Sequence, residues 1–170
     1  MATTVHDRFE QRVVPLLDDA YTLARHLMRN EHDAQDVVQE AYLRAWRHFA
    51  KFRDGDEKAW LLTIVRNCCY TWRRSQKGQE AVSYDDEQHG LRETDRLATD
   101  ARAIAGSERQ SLASAVATLP TEFREALVLR EVQGFSYREI AGITGVPIGT
   151  VMSRLARGRE QLRRVLKRIA

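Results

Sequence analysis

The chain of 170 residues is poor in cysteine (two), proline (three) and glycine (nine), and aromatic residues make up only 8% of it. Each shortage removes a class of protein. Cys68 and Cys69 are neighbours and cannot build a disulfide framework, so the expected compartment is a reducing cytoplasm. So few prolines and glycines cannot punctuate a turn-rich β protein, which favours long helices. No apolar run approaches the roughly 20 residues that a membrane helix needs. The N-terminal stretch 1–14 also lacks the cationic segment and apolar core of a secretory signal. The expectation is a cytoplasmic chain without direct membrane insertion.

What the chain has in quantity is charge, at 30% of residues, with 27 Lys and Arg against 24 Asp and Glu. The net value of +3 conceals an uneven layout. Residues 1–77 hold 13 basic and 11 acidic side chains, residues 78–107 hold 3 and 7, and residues 108–170 hold 11 and 6. Two basic blocks separated by an acidic one suggest two charged binding faces with a repelling segment between them.

Apolar periodicity of three and four residues dominates both basic blocks. Positions Val13, Leu16, Leu17, Ala20, Leu23, Ala24 and Leu27 predict one amphipathic helix from Phe9 to Met28 despite Pro15. A second helix follows the polar break at Asn30–Asp33 and runs to Phe49, with Val38, Tyr42, Ala45, Trp46 and Phe49 facing inward. After a loop over 51–58, a third runs from Ala59 to Arg74 and buries Leu61, Ile64, Val65, Cys68 and Trp72. Three such helices can close a small core. Residues 78–107 read as a mobile acidic linker with a short helix around Arg96–Ile104. A second helical block starts near Glu108, breaks at Leu119–Pro120 and continues from Phe123 to Val132. Ser136 and Glu139 form a Ser-x-x-Glu capping box that opens a short helix. A turn at Gly142–Gly145 leads to Pro147, well placed to start a last helix that ends near Ile169. The fold class is all-α, two small helical domains joined by a flexible acidic linker.

The short capped helix, the glycine-containing turn and the longer basic helix make a helix-turn-helix pattern. From Pro147 to Ala170 there are seven basic residues and one acid. Val151, Leu155, Leu162 and Leu166 would seat the last helix on its domain, while Ser153, Arg154, Arg157 and Arg164 spread over its outer face. Polar and cationic side chains placed so can reach base edges and phosphates in a major groove. The competing reading is a solvated basic face on a helical hairpin.

The third helix carries a second basic stripe, with Arg66, Tyr70, Arg73 and Lys77 on one line and Asn67, Thr71 and Arg74 beside it. Arginines interleaved with an aromatic suit unpaired nucleic acid, because cations follow the backbone while flat groups stack on exposed bases. An ordinary solvent face is equally compatible with this stripe taken alone. On the second helix, Asp36, Gln39 and Glu40 lie away from Trp46 and are joined by Leu43, Arg44 and Arg47. A leucine among acids and arginines on an outer face suits docking to another protein.

Together these residues resemble the extracytoplasmic-function (ECF) group of bacterial RNA polymerase sigma factors. The resemblance to sigma region two lies in Asp36-Val37-Val38-Gln39-Glu40-Ala41-Tyr42 with Ala45-Trp46, Ala59-Trp60-Leu61, Ile64-Val65-Arg66-Asn67, Tyr70 and Trp72-Arg73-Arg74. The resemblance to region four lies in Leu119-Pro120, Arg124, Glu131, Gly134-Phe135-Ser136-Tyr137, Glu139-Ile140-Ala141, Gly149 to Leu155, and Arg157. It implies region two over 1–77, a linker over 78–107 and region four over 108–170. It also implies a promoter-specificity subunit, not an enzyme, with no catalytic residues, cofactor or small-molecule substrate. The implied partners are core RNA polymerase, promoter DNA and an anti-sigma factor, and the implied role is transcription initiation at a specific, stress-related regulon. By position, Asp36, Gln39, Glu40, Leu43 and Arg44 would dock on the polymerase. The loop from Phe52 and Arg53 to Lys58, with Arg66 and Asn67, would capture a base of the minus-ten element, and Tyr70, Arg73, Arg74 and Lys77 would hold its backbone. Arg138, Thr150, Ser153, Arg154 and Arg157 would read the minus-thirty-five duplex.

Thr71 and Met152 depart from residues common in the family, which leaves base preference open at both elements. The sequence ends soon after the second block, so no further C-terminal domain is expected. A free-standing helix-turn-helix regulator is the alternative function, and the Asp36–Glu40 face distinguishes the two. Cys68 is expected in the core and Cys69 partly buried, rather than as redox sensors. No histidine forms a spaced ligand set with cysteine or acids, so no metal is expected. A thiol enzyme ranks last, since no histidine or acid shares a helix face with either cysteine.

Overall fold

The computed structural model describes residues 2–79 and 108–169. The acidic segment from 80 to 107, including the helix expected at Arg96–Ile104, lies outside the described residues. Everything regular within them is helical.

The single helix expected over Phe9–Met28 is split. Helix α1 (Val5–Arg12) opens on a Thr4/Asp7 capping box and ends at Val13, a 3₁₀ turn covers Val14–Leu16, and α2 runs over Leu17–Met28. Pro15 is the physical reason, because it offers no N–H and its ring obstructs the preceding turn. Arg29 closes α2 with a left-handed φ of 60°, and Asn30 then caps α3 (Glu31–Phe49), its Oδ1 accepting from the His32 and Asp33 amides. Asp56 accepts from the Ala59 amide at the start of α4 (Glu57–Gln79), which is longer at both ends than the expected Ala59–Arg74.

The core of this half is made by Leu23, Leu27, Phe49, Leu61, Leu62 and Val65, all essentially inaccessible. Leu62 and Cys69 join the buried side of α4, whereas Ile64 and Trp72 are only half-buried. Both thiols are buried, Cys69 completely, and burial pushes Cys69 up to about 12. Trp46 is not inward: it is 43% exposed and packs edge-on to Phe9 and His6 at 5.1 and 5.7 Å. Helix α1, through His6 and Phe9, covers part of the indole and leaves the rest to solvent.

In the C-terminal half, α5 (Glu108–Ala117) leads through Pro120 to α6 (Thr121–Leu127). The helix expected to run regularly to Val132 widens into a π turn over Val128–Val132, where the Gln133 amide bonds to the Val128 carbonyl at 3.0 Å. The Ser136/Glu139 capping box is formed and opens α7 (Tyr137–Thr144). Gly142 is inside this helix rather than in a turn. The chain reverses at Gly145, whose φ of 72° suits glycine, and α8 (Ile148–Ile169) follows Pro147. Val151 and Leu155 seat α8, and Gly158 lets it approach α6 closely.

The two halves touch along α2 and α4 on one side and α6 and α7 on the other. The second half of α6 and the start of the π turn are consequently covered, with every residue from Arg124 to Leu129 buried, while Glu122 in the first turn stays exposed.

Candidate nucleic-acid interface

The helix-turn-helix presents its expected reading face to solvent. Arg138, Ser153 and Arg157 are exposed, and Ser153 Oγ donates to the Gly149 carbonyl at 3.0 Å. Thr150 is half-buried at the start of α8. Arg154 is less open than its place on the helix suggested, with a 19% exposed side chain leaning 3.9 Å from Glu122. The face is thus built by α7 and α8 from groups that can reach bases and phosphates of a duplex.

The expected docking face on α3 is also open. Asp36, Gln39, Glu40 and Leu43 are exposed, and Arg44 Nε donates to Glu40 Oε1 at 3.0 Å. That hydrogen bond holds the Arg44 guanidinium above its ordinary value.

The stripe on α4 differs from expectation. Asn67, Arg74 and Lys77 are exposed, but Arg66, Tyr70 and Arg73 are half-buried beneath the C-terminal half. Arg66 Nε donates to Glu125 Oε1 at 2.6 Å, and Tyr70 Oη donates to Glu125 Oε2 at 2.8 Å. Arg73 Nη1 donates to Thr121 Oγ1 at 3.0 Å. The Arg66 guanidinium also lies over the Tyr70 ring, 4.1 Å from its centroid. Burial, followed by the Glu125 charge, pushes the Tyr70 hydroxyl far above its ordinary range. Burial works against the Arg66 charge, yet Glu125 and Tyr70 outweigh it and raise the guanidinium.

The loop before α4 and the first turn of that helix are partly tied down too. Phe52 is half-buried, its ring tilted against Trp60 with centroids 4.8 Å apart, while Arg53 is exposed. Lys58 Nζ donates to the Gln133 carbonyl at 3.0 Å and stands 5.3 Å from the Phe135 ring centroid. Gln133 Nε2 in turn donates to the Asp19 carbonyl at 3.2 Å. Glu125, Thr121 and Gln133 were missed by sequence reasoning, because their partners lie on another half of the chain and no local spacing signals them. Among the described residues, no group of three or more His, Cys, Asp or Glu is placed to hold a metal ion, and no helix is long and apolar enough to cross a membrane.

Residues 13–79 match the family model of sigma-70 region 2, and residues 109–162 match that of sigma-70 region 4. The ECF RNA polymerase sigma-E factor of Haemophilus influenzae is 32% identical over 166 residues, which cover 91% of this chain and 82% of that protein. The chain belongs to the ECF sigma factors. It is also 37% identical to the ECF sigma factor SigE of Mycolicibacterium smegmatis over 86% of its length, but spans only 56% of that relative. Among solved structures, this sigma factor superposes on RpoE of Bartonella quintana, crystallised with the anti-sigma factor NepR. The TM-score is 0.73 at 28% identity, over 94% of this chain and 96% of that one. CnrH in complex with the cytosolic domain of CnrY gives 0.67 at 26% identity, over 97% and 91%.

Proposed function

We propose that this sigma factor binds core RNA polymerase and directs it to the promoters of a stress-related regulon, recognising DNA rather than catalysing a reaction. One observation carries this reading: a single chain combines a region-2 block bearing a cation-aromatic stripe with a region-4 block bearing an open helix-turn-helix face. Opening a promoter needs both activities at once. The upstream duplex must be held while a downstream strand is trapped unpaired.

In this reading Arg138, Thr150, Ser153, Arg154 and Arg157 engage the minus-thirty-five duplex. The loop from Phe52 and Arg53 to Lys58, with Arg66 and Asn67, receives a base extruded from the minus-ten strand, and Tyr70, Arg73, Arg74 and Lys77 follow its backbone. Extrusion costs a few kcal/mol of unstacking, so a site that accepts the base both selects the sequence and holds the melted state. Asp36, Gln39, Glu40, Leu43 and Arg44 form the polymerase-docking face. An anti-sigma factor is the proposed inhibitor, supported by the likeness to RpoE crystallised with NepR.

The test is transcription in vitro with purified core polymerase and a genomic DNA library, followed by start-site mapping. Start sites that appear only when the chain is added are expected, and none at all with folded protein rejects the reading. Asp36→Ala with Glu40→Ala should weaken core binding while helical content is unchanged. A free-standing regulator would bind duplex DNA and show neither effect.

A further inference from the structure

The cation-aromatic stripe of α4 is already occupied, and by a group that resembles a nucleic-acid backbone in its chemistry. Glu125 is wholly inaccessible to solvent, and its carboxylate oxygens accept separately from Arg66 and Tyr70. Those are the donors a phosphate oxygen would take, with an arginine giving a charge-assisted bond. The Tyr70 face on which a base would stack carries the Arg66 guanidinium instead. One turn earlier on α6, Thr121 takes Arg73, so the residue pair 121 and 125 lies along the line of 66, 70 and 73. Lys58, in the loop expected to receive a base, is held by the Gln133 carbonyl and the Phe135 ring.

The other buried charge of α6 has backbone carbonyls of its own half among its partners. Arg124 is 1% exposed and donates to the Ala117 and Leu119 carbonyls, partners inside its own half of the molecule. Both hydrogen bonds of the Glu125 carboxylate go to α4, 55 and 59 residues away. A buried carboxylate is strongly unfavourable without partners, so this side chain is matched to its surroundings only while the two halves are together.

We propose that Glu125 is an internal substitute for the DNA strand, a latch that closes the free protein against unpaired DNA while leaving its duplex-reading and docking faces open. This rests on reading the Arg66–Tyr70–Arg73 stripe as strand-binding. The occlusion is selective, because Arg138, Ser153 and Arg157 stay exposed in the closed form, as do Asp36, Gln39 and Glu40. The closed protein can therefore meet polymerase and upstream duplex first. A strand can enter only by displacing Glu125, so its apparent affinity for the free chain is the intrinsic affinity reduced by the open fraction.

The experiment uses the full chain with Glu125→Gln, which keeps size and removes charge, and with Thr121→Val, which removes the Arg73 acceptor from a less buried site. Binding of a labelled random pool of short single-stranded DNA is followed by anisotropy at low salt, and the radius of gyration by solution X-ray scattering. Circular dichroism confirms that each variant is folded. The latch predicts a gain of at least about tenfold in single-strand affinity for Glu125→Gln, a smaller gain for Thr121→Val, and a larger radius of gyration for both. Unchanged affinity and radius in folded variants overturn it. Transcription by the unmodified chain with core polymerase is scored separately: a latch that fails in a chain that transcribes removes only this proposal. A chain that fails to transcribe removes the sigma reading, whatever the scattering shows.

Discussion

Gly158 and Gly142 offer the same substitution, glycine to alanine inside a helix, with opposite expected signs. In an open helix the change is favourable by about 0.8–1 kcal/mol, since alanine loses less backbone freedom on folding. Gly142 lies within α7 with no atom within 4 Å of the added Cβ, so Gly142→Ala should realise most of that gain. At Gly158 a Cβ would stand 3.1 Å from Leu127 Cδ1 and 3.3 Å from Phe123 Cβ. The leucine methyl can turn aside, but the Phe123 Cβ is fixed to the α6 backbone. Helices α6 and α8 must then separate by a few tenths of an ångström, and overpacking of this kind costs about 1–3 kcal/mol. Gly158→Ala is therefore expected to be destabilising by about 1 kcal/mol, and to differ from Gly142→Ala by about 2 kcal/mol. Urea unfolding followed by circular dichroism measures both, and each kcal/mol should move the melting temperature by about 2–4 °C in a chain of this size. If Gly158→Ala is as stabilising as Gly142→Ala, α6 yields freely and the close approach does not fix its position.

Three further outcomes follow from the same structure. Arg157→Ala should weaken binding of the upstream duplex by about 1–3 kcal/mol in a sequence-dependent way if Arg157 contacts a base; an equal loss on all duplexes in a competition assay would make it a phosphate contact. His26 is held below its ordinary value by burial, then by Arg124 and Arg25. Between its folded value and 6.5 the unfolded chain binds more protons, so stability rises with pH there and acidification from neutrality through 6.5 should cost stability. His26→Gln should flatten that dependence in unfolding curves taken across this window, and an unaltered slope would refute the assignment. Burial raises both thiols, Cys69 to about 12, so native protein should react with a thiol reagent far more slowly than the same protein in urea. Equal rates would show that the core opens readily around α4.

Much of this was legible in local pattern. The Ser136/Glu139 box, the break at Pro120 and the apolar seat of α8 at Val151 and Leu155 each depend on residues within one turn or two, and the structure has them. The exposed faces around Asp36 and Arg157 also follow from helical period alone. Trp46 shows where period fails, because it gives direction but not how far the neighbouring helix extends. Pro15 had the right chemistry for a break, but the apolar rhythm around it masked the split. Glu125 was illegible for a stronger reason: in sequence it is one charge in a charged helix, and only the approach of α4 makes it a buried acceptor.

Helix α6 has a consequence for how this protein can be altered. The buried run from Arg124 in α6 to Leu129 in the π turn serves two neighbours, its own half through α8 and the other half through α2. Within that run there is no spare side on which variation is cheap. A bulky or shortened residue chosen there to loosen the seam would also disturb the platform beneath α8. Independent adjustment is available on the opposite bank, where Arg66 and Arg73 project from a helix anchored separately by Leu62, Val65 and Cys69. The strength of closure and the integrity of duplex reading can thus be varied separately from α4, but from α6 only by near-isosteric changes.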